Sequence, residues 1–584
     1  MTRNDEFQRQ SPQKTPVQPT EPIRVAIGAG HDSEIPMMPP PIDFRVFRND
    51  HVLFTLAVAT FLIYAGLFIY RTSFVINGER YFSLFDDAMV SMRYARNLAN
   101  GYGLVWNPGG ERIEGYTNPL WVLYMSVIHL FPIAQSKISL FIQLTAATFL
   151  AANLYVVRKI ALSVSDGSES VSLGAVVLTA FYLPINHWSL QGMEVSLLVL
   201  IMSICLWGAI TYMREGTFRI WPYLLLGAST WVRPDMVIPL GGLMLFQAVA
   251  DPFNRRRHVM WGGGGLVIFF AAQTAFRLWY FGDILPNTYY LKLTGYPFAL
   301  RISQGIYALA QFIWKLNILL FVFPFMLAVR HDRRIGLLLW ALIVQMMYSV
   351  YVGGDAWEYW GGSNRYISIA MPGFFILLSY ALFRVSRFIL GAMNADTRQA
   401  GIATTNWKGY IFPLLIAVSL VSVNSIYGLD ALAEVLLIKP PLHSGNGESN
   451  HREVEEALLL RKMTTPDATI AVTRAGTIPY FSDRSSIDLL GKTDRVIAHE
   501  DMRVFEAGWH RLIEFRAGHM KFDYRYSIEQ QRPDVIAQLW LHTEEVRPYL
   551  QKYYRGVRLQ GKCLYMRAAS VNVLWENVPA EACQ

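Results

Sequence analysis

Charge is scarce in this chain. Of its 584 residues only 16% are Asp, Glu, Lys or Arg, against about a quarter in ordinary soluble proteins. Cysteine is scarcer still, with three residues. No CxxC and no Cys/His cluster is present, so a zinc site lacks ligands. P-loop, GxGxxG and HExxH motifs are missing too, which leaves nucleotide hydrolysis and zinc proteolysis unsupported. No clear internal repeat is visible, and repeats are the usual mark of a transporter. The polar N-terminus is too long for a cleavable signal peptide.

What the chain has instead is apolar sequence, 53% of the total, gathered in long runs. IYALAQFIWKLNILLFVFPFMLAV (306–329) and IGLLLWALIVQMMYSVYV (335–352) are each long enough to cross a hydrocarbon core of roughly 30 Å as a helix. These runs predict a polytopic α-helical membrane protein. Residues 1–45, rich in Pro, Gln, Ser and Thr, read as a disordered cytoplasmic tail. The membrane domain is expected over 46–438. Charged residues return after that, and 439–584 reads as one soluble α/β domain.

The net charge of +8 suggests nucleic acid at first sight. In a membrane protein it is better assigned to cytoplasmic loops, where Lys and Arg accumulate. Arg214 with Arg219, Arg255 to Arg257, Arg330 with Arg333 and Arg334, and Arg384 with Arg387 recur after every second apolar segment. Placing them inside puts the loops at 185–194, 233–235, 281–300 and 353–365 outside, with the C-terminal domain. Parity then requires about eleven crossings, N-terminus in and C-terminus out. The short segment 118–133, with Pro119 near its start, is the one expected not to cross. Cys205 lies in an apolar run and reads as inert, whereas Cys563 and Cys583 are placed to pair if their domain is extracytoplasmic. The expected location is the bacterial inner membrane.

The most informative stretch is YFSLFDDAMVSMRYARNLANGYGLVWNPGGERIEGYTNPLW (81–121). It follows the first crossing and so falls outside. AMVSMRYARNLANG reads as a short amphipathic helix ending at Gly101. Asp86 is placed like an N-cap, and plain capping is the structural alternative for it. Adjacent acids point about 100° apart on a helix, so at most one of Asp86 and Asp87 faces a given site. Each raises the pKa of the other, which suits a proton acceptor near neutral pH.

Asp86-Asp87-Ala88, Arg93-Tyr94-Ala95-Arg96-Asn97-Leu98 and Glu114-Gly115-Tyr116-Thr117-Asn118-Pro119-Leu120-Trp121 resemble the first extracytoplasmic loop of GT-C glycosyltransferases. They look most like the terminal β-(1→2)-arabinofuranosyltransferase branch. The likeness continues at Trp231-Val232-Arg233-Pro234-Asp235, at Gly353-Gly354-Asp355 before Arg365-Tyr366, and in the soluble domain at Ala475 to Tyr480, Ile487 to Gly491 and Gly518 to Asp523. Val232 stands where the family more often has threonine, so no hydroxyl role is carried to it.

The resemblance implies a membrane enzyme that moves a sugar, arabinofuranose or another pentose, from a polyprenyl-phosphate donor to a cell-envelope glycan with inversion. Asp86 is then the first choice for the base and Asp87 the second. Arginine forks suit phosphate oxygens, which makes Arg93, Arg96, Arg233 and Arg365 candidates for the donor phosphate, with Lys292. A solvated helix face is the alternative for Arg93 and Arg96, and a structural ion pair with Asp235 for Arg233. Glu114, Tyr116, Thr117, Asn118, His187, Glu194, Asp235, Asp355 and Trp357 are candidates for contacting substrate. Tryptophans also form interfacial belts, the alternative for Trp357. Gly476, Asp488 and Gly518 to Lys521 are placed to touch the acceptor glycan. No cofactor is implied with certainty. Asp86 and Asp87 have room for a shared divalent cation, although no complete oxygen cage is visible. The rival reading is a transporter or flippase of lipid-linked glycans.

Overall fold

A computed structural model describes residues 50–355, 364–400, 409–424, 433, 446–503, 515–559 and 561–583. The N-terminal tail and Trp357 lie outside these residues. Six helices are long and apolar enough to cross a membrane, Asp50–Thr72 and Arg333–Val352 among them, or up to eight if each of two bent pairs is one span. Three further apolar helices, Pro119–His129, Pro234–Ala250 and Ile411–Asn424, are shorter. The chain is therefore a multi-pass membrane protein. At most eight spans meet the length criterion among the described residues, against the count of about eleven read from apolar runs.

Three of the expected crossings form only short helices, Trp221–Ser229, Pro234–Ala250 and Ile411–Asn424, and two of the eight counted spans are bent. The 306–329 run is not one straight helix. Phe298–Lys315 and Ile318–Arg330 meet at 91°. The corner is Asn317, whose φ of 75° no helix accommodates and whose side chain accepts the Leu319 N–H at 3.0 Å. Glu169–Ala180 and Leu183–Leu190 bend by 50°, with Pro184 at the start of the second. The Pro119–His129 helix has 11 residues, too short to span at 1.5 Å per residue. It buries Trp121, Val122 and Met125 and exposes Leu123 and Val127. The long helices expose apolar side chains such as Ile63, Val267 and Ile268, as lipid-facing surfaces do.

Beyond the Asn446–Met463 helix lies a mixed sheet. Its strands are β3 (Thr469–Val472), β4 (Ser485–Asp488), β5 (Val535–Ile536), β6 (Tyr554–Leu559) and β7 (Lys562–Arg567), after the small hairpin of β1 (Phe74–Ile76) and β2 (Glu79–Tyr81). The order is β4-β3-β5-β7-β6, parallel among the first three and antiparallel after. Cys563 and Cys583 form a disulfide that ties the C-terminal end to β7.

One apolar core joins this sheet to the acidic stretch. Phe85, Met89, Met92 and Trp106 pack with Ile470, Ile478, Val535 and Leu564 in a single buried cluster. The Asp86–Ala99 helix therefore lies between the membrane helices and the sheet. It is acidic in its first turn, as the helix dipole favours. Its N-cap is Phe85, not Asp86, and it gives way at Asn100 before Gly101, where φ is +83°.

Candidate functional site

The carboxyl ends of β3 and β4 face the first turn of the Asp86–Ala99 helix, the edge of a parallel sheet where ligands generally bind. From the end of β3, the Gly476 and Thr477 N–H groups donate to Asp86 Oδ1 at 3.1 and 2.9 Å. From beyond the end of β4, the Lys492 ammonium pairs with Asp87. The two acids thus take different partners, as their angular separation on a helix requires.

An open cavity lies on the Asp87 side. Asp87 and Ser91 line it from the acidic helix, and Gly115 to Asn118 from the following loop. Glu194, Arg233, Asp235, Lys292, Arg365 and Tyr366 come from the membrane domain, and Lys492 and His519 from the sheet domain. Asp86 is not among the lining residues. Asp86, the first choice for the base from sequence, has its carboxylate capping the Gly476 loop, and Asp87 is the acid that reaches the cavity.

Their electrostatics differ as much as their positions. Burial, with the nearby Glu453 acid, pushes Asp86 up to about 6, against the pull of Arg474 and Lys492. Burial would raise Asp87 as well, but Lys492, Arg365 and Lys292 outweigh it and hold that carboxyl well below the usual range. Asp87 is thus ionised at neutral pH and clamped between cations. Arg365 Nη1 lies 3.3 Å from Asp87 Oδ2, while its Nε lies 3.2 Å from Asp355 Oδ2. Asp355 is buried and does not line the cavity; it acts on the site through Arg365.

Lys292 has no ion pair or hydrogen bond among the described residues. Its stem lies against Gly518, where a side chain would come within 3.1 Å of it. Burial and the neighbouring Arg365 lower its ammonium to about 8. The charges on this side of the cavity do not balance. Asp355 answers Arg365, Asp87 answers Lys492, and Lys292 is left over. Lys292 is half-buried on the cavity surface, and its ammonium is open to an entering anion. His519 beside it is held neutral, its pKa lowered to about 3 by burial and by Lys492.

The opposite wall sets two carboxylates against one guanidinium and so carries one acidic charge in excess. Arg233 Nη2 lies 2.5 Å from Asp235 Oδ2, and Nη1 lies 3.4 Å from Glu194 Oε1. Asn118 Nδ2 donates to Glu194 Oε2 at 2.9 Å and Ser91 Oγ to Asn118 Oδ1 at 2.9 Å. Arg233 is thus the buried structural pair that its spacing from Asp235 allows, although its edge reaches the cavity. Tyr116, Thr117 and Asn118 line the cavity.

Besides Asp86 and Asp355, the expected site residues Arg93, Arg96, Glu114 and His187 do not line the cavity. Arg93 is 1% exposed and donates to the carbonyls of Trp106 (2.6 Å), Arg484 (2.7 Å) and Pro479. Arg96 donates to Tyr480 O at 2.8 Å and pairs with Asp483 at 3.1 Å. Both fasten the acidic helix to the sheet domain and have no fork left for phosphate. Glu114 is taken by Arg277 at 2.6 Å in a buried pair. His187 is buried beside Trp188 on the Leu183–Leu190 helix, outside the lining. Among the described residues no three His, Cys, Asp or Glu side chains come together to hold a metal ion. Asp86 and Asp87 engage separate partners, the Gly476 loop and Lys492. Lys492 was not singled out from sequence. The one signal for it is its place just after Gly491, at the end of the Ile487-to-Gly491 stretch.

A family model described as "Domain of unknown function (DUF8728)" matches residues 445–573. Among curated proteins, the chain is similar to the terminal beta-(1->2)-arabinofuranosyltransferase of Mycobacterium tuberculosis, 28% identical over 218 residues. That match spans 35% of this chain and 34% of the relative's length. Among solved structures it is similar to ArnT from Cupriavidus metallidurans bound to undecaprenyl phosphate. The TM-score is 0.50 at 14% identity, covering 89% of this chain and 98% of that one. An Archaeoglobus fulgidus oligosaccharyltransferase, AglB, also matches, with a TM-score of 0.49 at 11% identity over 90% of this chain and 75% of that chain. In architecture, this protein has the GT-C fold: a multi-pass helical membrane domain carrying a C-terminal domain built on a small sheet.

Proposed function

We propose that the protein is a glycosyltransferase that takes a sugar from a polyprenyl-phosphate donor and adds it to a cell-envelope glycan. The observation that carries this reading is the wall of Lys292, Arg365 and Lys492 around the single carboxylate of Asp87. A phosphate supplies the charge that Lys292 lacks, and cations placed where a leaving phosphate gains charge stabilise its departure. The acceptor hydroxyl oxygen attacks the anomeric carbon, the bond from that carbon to the phosphate oxygen breaks with its electron pair going to phosphate, and Asp87 takes the hydroxyl proton. Inversion follows from a single displacement. Tyr116, Thr117 and Asn118, on the same cavity surface, contact the sugar or the incoming hydroxyl.

The Mycobacterium relative supports arabinofuranose as the donated sugar, and the ArnT complex with undecaprenyl phosphate supports a lipid phosphate on this fold. A disulfide between Cys563 and Cys583 suits an oxidising compartment, which supports a sheet domain outside the bacterial inner membrane. The test uses the full chain in nanodiscs with synthetic polyprenyl-phosphate arabinofuranose and an arabinan oligosaccharide. Transfer is expected from the parent and not from Asp87→Asn. Parent-level transfer by Asp87→Asn removes the base from this scheme.

A further inference from the structure

We infer that Lys492 is a positioning residue shared between Asp87 and the donor phosphate, so that lipid-phosphate binding is what releases the base. The inference rests on the function proposed above and gives the sheet domain a part in the transfer step.

Lys492 is paired with Asp87, and Arg365 approaches the same carboxylate at 3.3 Å. A carboxylate so held is a poor proton acceptor, because protonation would sacrifice both attractions. The phosphate that Lys292 calls for must enter beside these same cations, since all three line one cavity wall. Lys492 reaches that wall from the turn after β4, where Gly491 has φ +79°. Arg365 is also tied to Asp355, so Lys492 is the cation with the freer second choice. As its ammonium turns toward phosphate, Asp87 loses its strongest partner and becomes basic where the acceptor hydroxyl arrives. Donor binding thus precedes base activation, and an acceptor alone meets a neutralised carboxylate. No atom is gained or lost in this step; one ion pair is exchanged for another.

The test measures the affinity of undecaprenyl phosphate for the purified full chain in nanodiscs. The variants are Asp87→Asn, Lys492→Met, Lys492→Arg and the double variant Asp87→Asn/Lys492→Met. If Asp87 and phosphate compete for Lys492, Asp87→Asn binds the lipid on the order of tenfold tighter than the parent, the size of coupling seen between contacting residues. Lys492→Met binds it more weakly, and Lys492→Arg restores binding. The gain from Asp87→Asn is expected to vanish in the double variant, because there is no longer an ammonium to free. A gain that persists undiminished in the double variant reports general repulsion between Asp87 and phosphate, and overturns the exchange. Unchanged or weaker binding by Asp87→Asn overturns it too. Both results leave the glycosyltransferase reading standing. That reading fails separately, if the parent shows no saturable binding of the lipid phosphate.

Discussion

Replacing Asp86 by asparagine is expected to stabilise the protein at neutral pH without abolishing its activity. Asp86 is 8% exposed, and burial with Glu453 raises its pKa from 3.8 to about 6. A carboxyl whose folded pKa is raised favours folding while protonated, below the unfolded value. That advantage is lost as pH rises toward and through the folded one. The window here runs from 3.8 to about 6. The full displacement corresponds to about 3 kcal/mol, at roughly 1.4 kcal/mol per tenfold change in proton affinity. Above pH 6 the parent therefore carries a buried charge whose cost an amide avoids. Asparagine keeps the acceptor oxygen for the Gly476 and Thr477 N–H groups and turns its own N–H toward Glu453. Asp86→Ala loses the acceptor and strands two buried donors, at about 1–3 kcal/mol each. Thermal unfolding of nanodisc-embedded protein reads these differences. Asp86→Asn is expected to melt above the parent at pH 7.5 and to approach it at pH 4.5, while Asp86→Ala melts below the parent at pH 7.5. An Asp86→Asn protein that melts below the parent at pH 7.5, or that differs from it equally at both pH values, refutes the burial argument. Loss of sugar transfer in Asp86→Asn refutes the assignment of Asp86 to docking.

Lys292, lowered to about 8, should make lipid-phosphate affinity fall as pH rises through that value in the donor-free protein; titrating the dissociation constant from pH 6.5 to 9.5 checks this, and Lys292→Met should remove the dependence. Gly476→Ala places a methyl against the Asp86 carbonyl and should cost about 1–3 kcal/mol by overpacking, seen as faster proteolysis of the sheet domain. Glu114→Gln leaves the Arg277 guanidinium without its buried counter-charge and should lower stability by about 3–5 kcal/mol, measured by thermal unfolding.

How far the residues alone revealed this site follows from the range of the interactions. The acidic stretch was legible because its residues are contiguous, and Lys292 and Arg365 because loop charge gave them a side of the membrane. Which aspartate faces the cavity was not legible. It is decided by Gly476 and Thr477, 390 and 391 residues away in sequence. Arg93 and Arg96 have the right chemistry for phosphate, yet the carbonyls of Pro479, Tyr480 and Arg484 claim them, a demand that exists only once the sheet has folded onto the helix. The run at 306–329 has the composition of a span and the geometry of a corner, because hydropathy does not register one asparagine with a positive φ.

Asp86 and Asp87 are joined by one peptide bond and serve opposite neighbours. Movement of the Gly476 loop cannot leave the cavity untouched, since the same helical turn that follows it also aims the second carboxylate. The two halves of the protein are geared together at a single residue step, and loosening one of them should detune the other before either unfolds.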